Sequence, residues 1–315
     1  MQGQSRPIES PLRKAIERVA IPLLRPYFRH WPAPFGKDYI WHKVVRRLNG
    51  PDRLLWADMR GGMRLAVDTR DACGRIMYFF GIWEPNLTSV IRNRLQPGDG
   101  FIDIGANIGY YSVLASGLIG PQGRVIAIEA IPQTLNVLEQ NLRSNHCNNV
   151  RTISRAAWDC EEPLTFYISS SVVHGTSTIL EDRAIGHQHR EQECIVEGAP
   201  VSSLLDPQEI SSVRIVKMDV EGAEARAVRG LDSLILRGRP DIEFAVEVAR
   251  ANFGAVTGFF RAHAFYAYHI PNDYRAAAYV RPQIATTLRQ IDGVPAGIDE
   301  LDLLFSRTDS RDLAV

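Results

Sequence analysis

The sequence predicts an α/β protein with a doubly wound, mainly parallel sheet behind a helical and hairpin extension. Three observations predict it. From Phe101 onward, short apolar runs alternate with segments of helical periodicity, the pattern of parallel βαβ units. A glycine turn, Asp103-Ile104-Gly105-Ala106-Asn107-Ile108-Gly109, follows the first of these strands and opens a helix. The second strand ends in a carboxylate, Glu129, the position from which nucleoside-binding α/β folds hold ribose hydroxyls.

Composition narrows the class. The chain has 315 residues, 45% hydrophobic and 23% charged, which is enough for a large core and too apolar for disorder. Thirty-six basic residues balance thirty-six acidic ones, so no overall basic field exists to hold nucleic acid. Cys73, Cys147, Cys160 and Cys194 form no C-x-x-C pair, which argues against a zinc ribbon and a disulfide framework. No apolar run approaches the roughly 18 residues of a membrane span, and Arg6, Arg13, Lys14, Glu17 and Arg18 interrupt any signal-peptide core. A cytoplasmic protein with reduced thiols is the expectation.

Residues 1–80 read as the extension and residues 81–315 as the main domain. Residues Met1 to Arg47 hold ten basic and three acidic side chains, a net of +7, leaving −7 for the rest. Leu12, Ile16, Val19, Ala20, Leu23 and Leu24 recur at helical spacing. Pro22 and Pro26 are expected to break or kink this helix. Such a basic amphipathic segment either packs on its own domain or makes weak contact with a membrane surface. Trp31 to Gly36 reads as a linker. Arg53 to Thr69 reads as a hairpin around Gly61-Gly62, and Pro85 to Leu95 as a helix.

The alternation then runs in order: a strand at Phe101–Ile104, a helix at Tyr110–Leu118, a strand at Arg124–Glu129 and a helix at Thr134–Asn145. Strands follow at Val150–Ser154 and Leu164–Ile168. Ser169 to Glu193 is polar and carries three histidines, so a long loop is expected. Val213–Val220 is a strand, Ala223–Leu236 a helix, Asp241–Val248 a strand and Phe253–Ala264 a helix. Tyr266–Ile270 and Leu301–Phe305 close the pattern as two strands.

The chemistry concentrates in three places. In the glycine turn, Gly105 permits a backbone turn that only glycine makes cheaply, and Gly109 allows a helix start to approach a ligand closely. A dinucleotide enzyme would carry glycine where Asp103 stands. A carboxylate there suits an ammonium group and repels a pyrophosphate, which favours S-adenosylmethionine over NAD. Glu129, 26 residues beyond Asp103, is the expected ribose ligand. The third place is Ile215 to Glu224, where Lys217, Asp219 and Glu221 alternate and in a strand would share a face. Three ionisable groups in an apolar strand are expensive unless they pair or work.

The stretches GDGFIDIGANIGYYSVLA, GRVIAIEAIPQTLNVLEQNL and VKMDVEGAEARAVRGL, with GIWEPNLTSVIRNRLQPGD upstream, resemble the FkbM family of methyltransferases. The resemblance spans roughly Gly81 to Val248. It implies a class I methyltransferase fold with a seven-stranded, Rossmann-like sheet and a reversed last hairpin, S-adenosylmethionine as methyl donor, and most often a hydroxyl acceptor. It places Asp103, Gly105, Asn107 and Gly109 around the methionine moiety and Glu129 on the ribose. Ala156 and Asp159 fall near the adenine, where Trp158 is bulkier than usual. Glu84 becomes a further cleft residue.

O-methylation requires in-line alignment and disposal of one proton. Asp219, Glu221 and His174 are the candidate bases, His174 lying within the long loop. His187 and His189 show no third metal ligand, and whether Asp219 and Glu221 hold a divalent metal stays open. The expected acceptor is a small molecule, a sugar or a lipid-linked glycan, not nucleic acid. An NAD-dependent oxidoreductase and a catalytically silent S-adenosylmethionine-binding module are the competing readings.

Overall fold

The computed structural model describes residues 11–31, 36–45, 54–168, 192–280 and 282–315. Residues up to 80 hold helices α1 (Pro11–His30) and α2 (Lys37–Lys43), then the strands β1 (Leu55–Asp58) and β2 (Arg64–Val67) and the helix α3 (Ala72–Phe80); helix α4 (Pro85–Arg94) follows. The main succession is β3 (Gly100–Ile104), α5 (Tyr110–Ile119), β4 (Arg124–Ile128), α6 (Pro132–Ser144) and β5 (Val150–Ile153). Next come β6 (Ala156–Ala157), β7 (Glu162–Ile168), β8 (Gln192–Ala199), α7 (Pro207–Ser212) and β9 (Val213–Met218). Then follow α8 (Glu224–Ala227), α9 (Asp232–Arg237), β10 (Glu243–Ala249), α10 (Phe253–Ala262) and β11 (Tyr266–Ile270). The chain finishes with α11 (Ala276–Val280), β12 (Thr287–Gln290), β13 (Glu300–Ser306) and β14 (Asp312–Ala314).

The main sheet runs in the order β5-β4-β3-β9-β10-β13-β11-β12-β14. The first five strands are parallel, and β13 pairs antiparallel with both β10 and β11. Those seven form the class I methyltransferase sheet with its reversed final hairpin. The short strands β12 and β14 extend its edge to nine. Strand order reverses between β3 and β9, the switch point outside whose carboxyl ends open α/β sheets bind ligands. The central strands are mainly apolar because helices cover both faces: every residue of β3 is buried, Asp103 included. A separate three-stranded sheet, β6-β8-β7, begins directly after β5, the strand at the opposite edge from β14.

Several expectations are corrected. Helix α1 runs unbroken through Pro22 and Pro26, both of them exposed; packing of its inner face on α3 holds it together although each proline removes an internal hydrogen bond. It packs on α3 through Ile21 and Phe28, both 2% exposed. The Phe28 ring meets Trp41, Phe79 and Phe80 edge-on at 5.4 to 5.8 Å. The expected helix over 223–236 is instead α8, a 3-10 turn at Val228–Leu231 and α9. There Gly230 lies so close to the chain that a Cβ would sit 2.3 Å from the Trp158 carbonyl oxygen. The linker residues 32–35 and the long loop, including His174, His187 and His189, lie outside the described residues. No described helix is long and apolar enough to cross a membrane.

Candidate active site

The glycine turn is built by hydrogen bonds to the neighbouring strand. The N–H groups of Gly105 and Ala106 both donate to the Ile128 carbonyl oxygen, at 2.9 and 3.0 Å. Gly105 has φ 70°, and a Cβ there would lie 1.8 Å from the Asp219 carbonyl oxygen. Only glycine lets these two turns touch. Gly109 departs from expectation: its close approach is to Leu138 of α6, 2.4 Å from where a Cβ would stand, and not to the ligand cleft.

A first cleft of about 660 Å³, including its open mouth, is lined by Gly105, Asn107, Glu129, Ala156, Asp219 and Glu221 among others. Glu129 Oε2 accepts from the Asn107 N–H and Oε1 from the Ile131 N–H, each at 2.9 Å. Burial pushes the Glu129 carboxyl up to about 7 despite these bonds. Asp103 lies beneath the turn, fully buried. Its Oδ2 accepts from the Ser112 hydroxyl at 2.6 Å, whereas its Oδ1 and the Asn107 Oδ1 have no hydrogen-bond partner. Asp103 lines neither cleft directly, whereas Asn107 lines both; the orphaned carboxylate oxygen and the orphaned amide oxygen fit an ammonium group, and Ile128, Ile131, Leu164 and Phe166 supply apolar walls for a flat base. The residues present therefore fit S-adenosylmethionine.

Asp159 does not line this cleft. It is held by Arg226 through two bonds of 2.6 Å, and the pairing keeps its carboxyl below the usual range. Trp158 is buried, its indole N–H bonded to Glu162 and the Arg226 guanidinium 4.4 Å above its ring. Asp159, Cys160 and Glu162 converge closely enough to ligate a metal, but Arg226 already pairs with both acids.

A second cleft of about 890 Å³, again with its mouth, shares Gly105, Asn107, Asp219 and Glu221 with the first. Its other walls include Glu84, Trp83, Tyr274, Lys217 and Glu247. Sheet register assembles it. Lys217 stands directly opposite Asp103 on β3 and Ala245 on β10. One step further, Glu247 pairs with Asp302 across β13. Period-two alternation puts Asp103, Lys217, Asp219, Glu247 and Asp302 on one face. The alternation stops before Glu221, where the chain turns with φ 51°, yet Glu221 still lines both clefts.

Lys217 Nζ is 3.3 Å from Asp219 Oδ2 and 5.4 Å from the Tyr111 ring centre. Burial works against its charge, but the carboxyls of Asp219, Asp103, Glu84 and Glu247 outweigh it and raise its pKa. Glu84 accepts from the hydroxyls of Tyr111 at 2.6 Å and Tyr274 at 3.0 Å. Burial raises its carboxyl. The neighbouring Asp219 charge, then burial, push Glu247 well above the carboxylate range. Among the described residues, five other than glycine have positive φ: Glu84, Asn107, His146, Glu221 and Ala264. Three of the five line this site, so backbone strain is concentrated where the two clefts meet.

Fold and clefts together define a doubly wound protein with an apolar-walled cleft joined to an acid-lined one at the carboxyl ends of its central strands, a layout that suits the class of the nucleoside-dependent methyltransferases. Residues 103–270, more than half of the chain, match the Methyltransferase FkbM domain, and the chain belongs to that family. Its cofactor is S-adenosylmethionine, and the NAD-dependent reading is set aside. Methyltransferase 1 of Beauveria bassiana is 27% identical over 150 residues, 43% of this chain and 60% of that protein. A protein-L-isoaspartate O-methyltransferase of Caenorhabditis elegans is 30% identical over 91 residues, 28% of this chain and 40% of that protein. The chain thus spans about half the length of these curated relatives. A solved structure of the FkbM methyltransferase from Methylobacillus flagellatus aligns with a TM-score of 0.39 at 16% identity, over 68% of this chain and 44% of that one.

Proposed function

We propose that the protein transfers the methyl group of S-adenosylmethionine to a hydroxyl oxygen of a small molecule, a sugar or a glycolipid. The observation that carries this reading is the position of Asp219, on the wall common to both clefts and paired with Lys217. The bound cofactor supplies a methyl group on a sulfonium, open to in-line displacement. Asp103 and Asn107 would hold its ammonium, Glu129 its ribose, and the apolar wall around Ala156 its base. An acceptor hydroxyl in the second cleft passes its proton to the Asp219 carboxylate as its oxygen gains the methyl carbon. Lys217 positions that carboxylate, and Glu221 on the same wall is the second candidate base.

The chamber's charge favours hydroxyl over carboxylate acceptors. Even with Glu84 and Glu247 held toward the protonated form, Asp219, Glu221 and Glu300 line it against one lysine, so a carboxylate or phosphate would meet repulsion. The raised carboxyls of Glu84 and Glu247 can donate as well as accept, which suits a polyol. The Trp83 and Tyr274 rings, 5.7 Å apart, offer faces to the apolar side of a sugar ring.

Incubation with methyl-labelled S-adenosylmethionine and carbohydrate or lipid fractions of a host extract tests this. The expected label sits in a methyl ether that survives mild alkali. Label released by alkali as methanol would mark a carboxyl ester and refute the assignment.

A further inference from the structure

Part of the apolar periodicity of α1 is not used for packing: Leu24 packs on the core, but the stripe through Val19 and Leu23 does not. Val19 and Leu23 are 60% and 70% exposed, and Pro22 and Pro26 face outward with them. Their spacing is that of one helical stripe, which the sequence continues backward through Leu12 and Ile16. The face that packs is a different one, carrying Ile21 and Phe28. Trp31 at the end of the helix is 58% exposed. Nine large hydrophobic side chains are exposed among the described residues, and five of them, Val19, Leu23, Trp31, Tyr39 and Val44, fall within this short extension. Single exposed hydrophobics need no explanation, but a concentration of them does.

Charge names the occupant. Residues 1–47 carry a net +7 within a neutral chain. Arg25, Arg29 and Lys37 turn inward, to Asp58, the Tyr78 carbonyl and the Phe28 carbonyl respectively. Lys43 is exposed, and the sequence sets Arg13, Lys14 and Arg18 in the first turns of α1. A helix with an apolar outward stripe, clustered basic residues and a terminal tryptophan has the composition that lies in the headgroup layer of an anionic bilayer.

We propose that the extension is an interfacial anchor that seats α1 on an anionic lipid surface through Val19, Leu23 and Trp31. This goes beyond the methyl-transfer reading and does not depend on it. Its geometry bears on access, because α3 packs beneath α1 and contributes Cys73 and Met77 to the acceptor chamber. The anchor would hold that chamber about one helix diameter, roughly 10 Å, from the bilayer.

The test is co-sedimentation of the full chain with phosphatidylcholine vesicles, with and without phosphatidylglycerol. The wild type is expected to partition onto the anionic vesicles only, and less as salt rises. Leu23→Glu should lower partitioning about tenfold. Leu236→Glu, altering a residue equally exposed elsewhere at 75%, should leave it unchanged. Both sites are on the surface, and matching melting temperatures would confirm intact folds. Partitioning onto neither vesicle, onto both equally, or unaffected by Leu23→Glu overturns the proposal. So does a dimer in light scattering that Leu23→Glu splits, since a second copy would then cover the stripe.

Discussion

Replacing Asp103 with asparagine isolates a single charge. The side chain keeps its volume, and an acceptor for the Ser112 hydroxyl, now at 2.6 Å from Oδ2, can be retained. What disappears is the negative charge behind Oδ1, the buried acceptor with no partner. A charge-assisted hydrogen bond to an ammonium contributes about 1.5–3 kcal/mol, so affinity for S-adenosylhomocysteine should fall roughly 10- to 150-fold. Calorimetry with two ligands makes the test specific. S-adenosylhomocysteine carries the amino-acid ammonium; 5′-methylthioadenosine has the same nucleoside and thioether without it. The variant should bind the second compound as the wild type does. Equal loss for both ligands would mean that the substitution deformed the turn, and no loss for either would remove the ammonium from Asp103 altogether.

Glu129 makes cofactor binding and ligand-free stability respond to pH in opposite directions. Its carboxyl is held near 7 against 4.5 unperturbed, so the folded state favours the protonated form. Ligand-free stability is therefore fully present below about 4.5 and declines, by about 3 kcal/mol, as pH rises through about 7. Cofactor affinity should instead strengthen over the same interval, as the carboxylate becomes available to ribose hydroxyls; Glu129→Gln should flatten both curves in melting and calorimetric titrations. Gly105→Ala forces a Cβ against the Asp219 carbonyl at φ 70° and should cost at least about 2 kcal/mol, with a lower melting temperature and no cofactor-induced stabilisation. Asp219→Asn should slow label transfer by about 10²- to 10⁴-fold while leaving S-adenosylhomocysteine affinity within about twofold; unchanged transfer would move the base elsewhere.

The parallel strands were legible because burial on both faces writes them as short, mainly apolar runs, Phe101–Ile104 and Ile215–Met218, in which Asp103 and Lys217 are the interruptions that mark the site. Helix α3 was missed for a related reason. Ile76, Met77, Tyr78, Phe79 and Phe80 are all buried, and a helix wrapped by neighbours has no polar face to reveal its period. The edge strands β12 and β14 are too short to announce themselves. At the site, Glu247 escaped notice although its signal was present: an acid inside the apolar run Phe244–Val248 raises the same question as Lys217 and Asp219. Tyr274 could not have been found, because it reaches Glu84 across 190 positions of sequence. The stripe of Val19 and Leu23 was readable as periodicity, but its outward direction depends on which face α3 accepts.

The contact between Gly105 and the Asp219 carbonyl makes one partition that lines both clefts. A laboratory seeking to widen the range of molecules this enzyme modifies should leave that partition alone, since any residue added there displaces both ligands together. Trp83, Cys73, Met77 and Tyr274 line the second cleft and not the first, and diversity introduced at those four positions would reshape the second cleft while leaving the first unchanged.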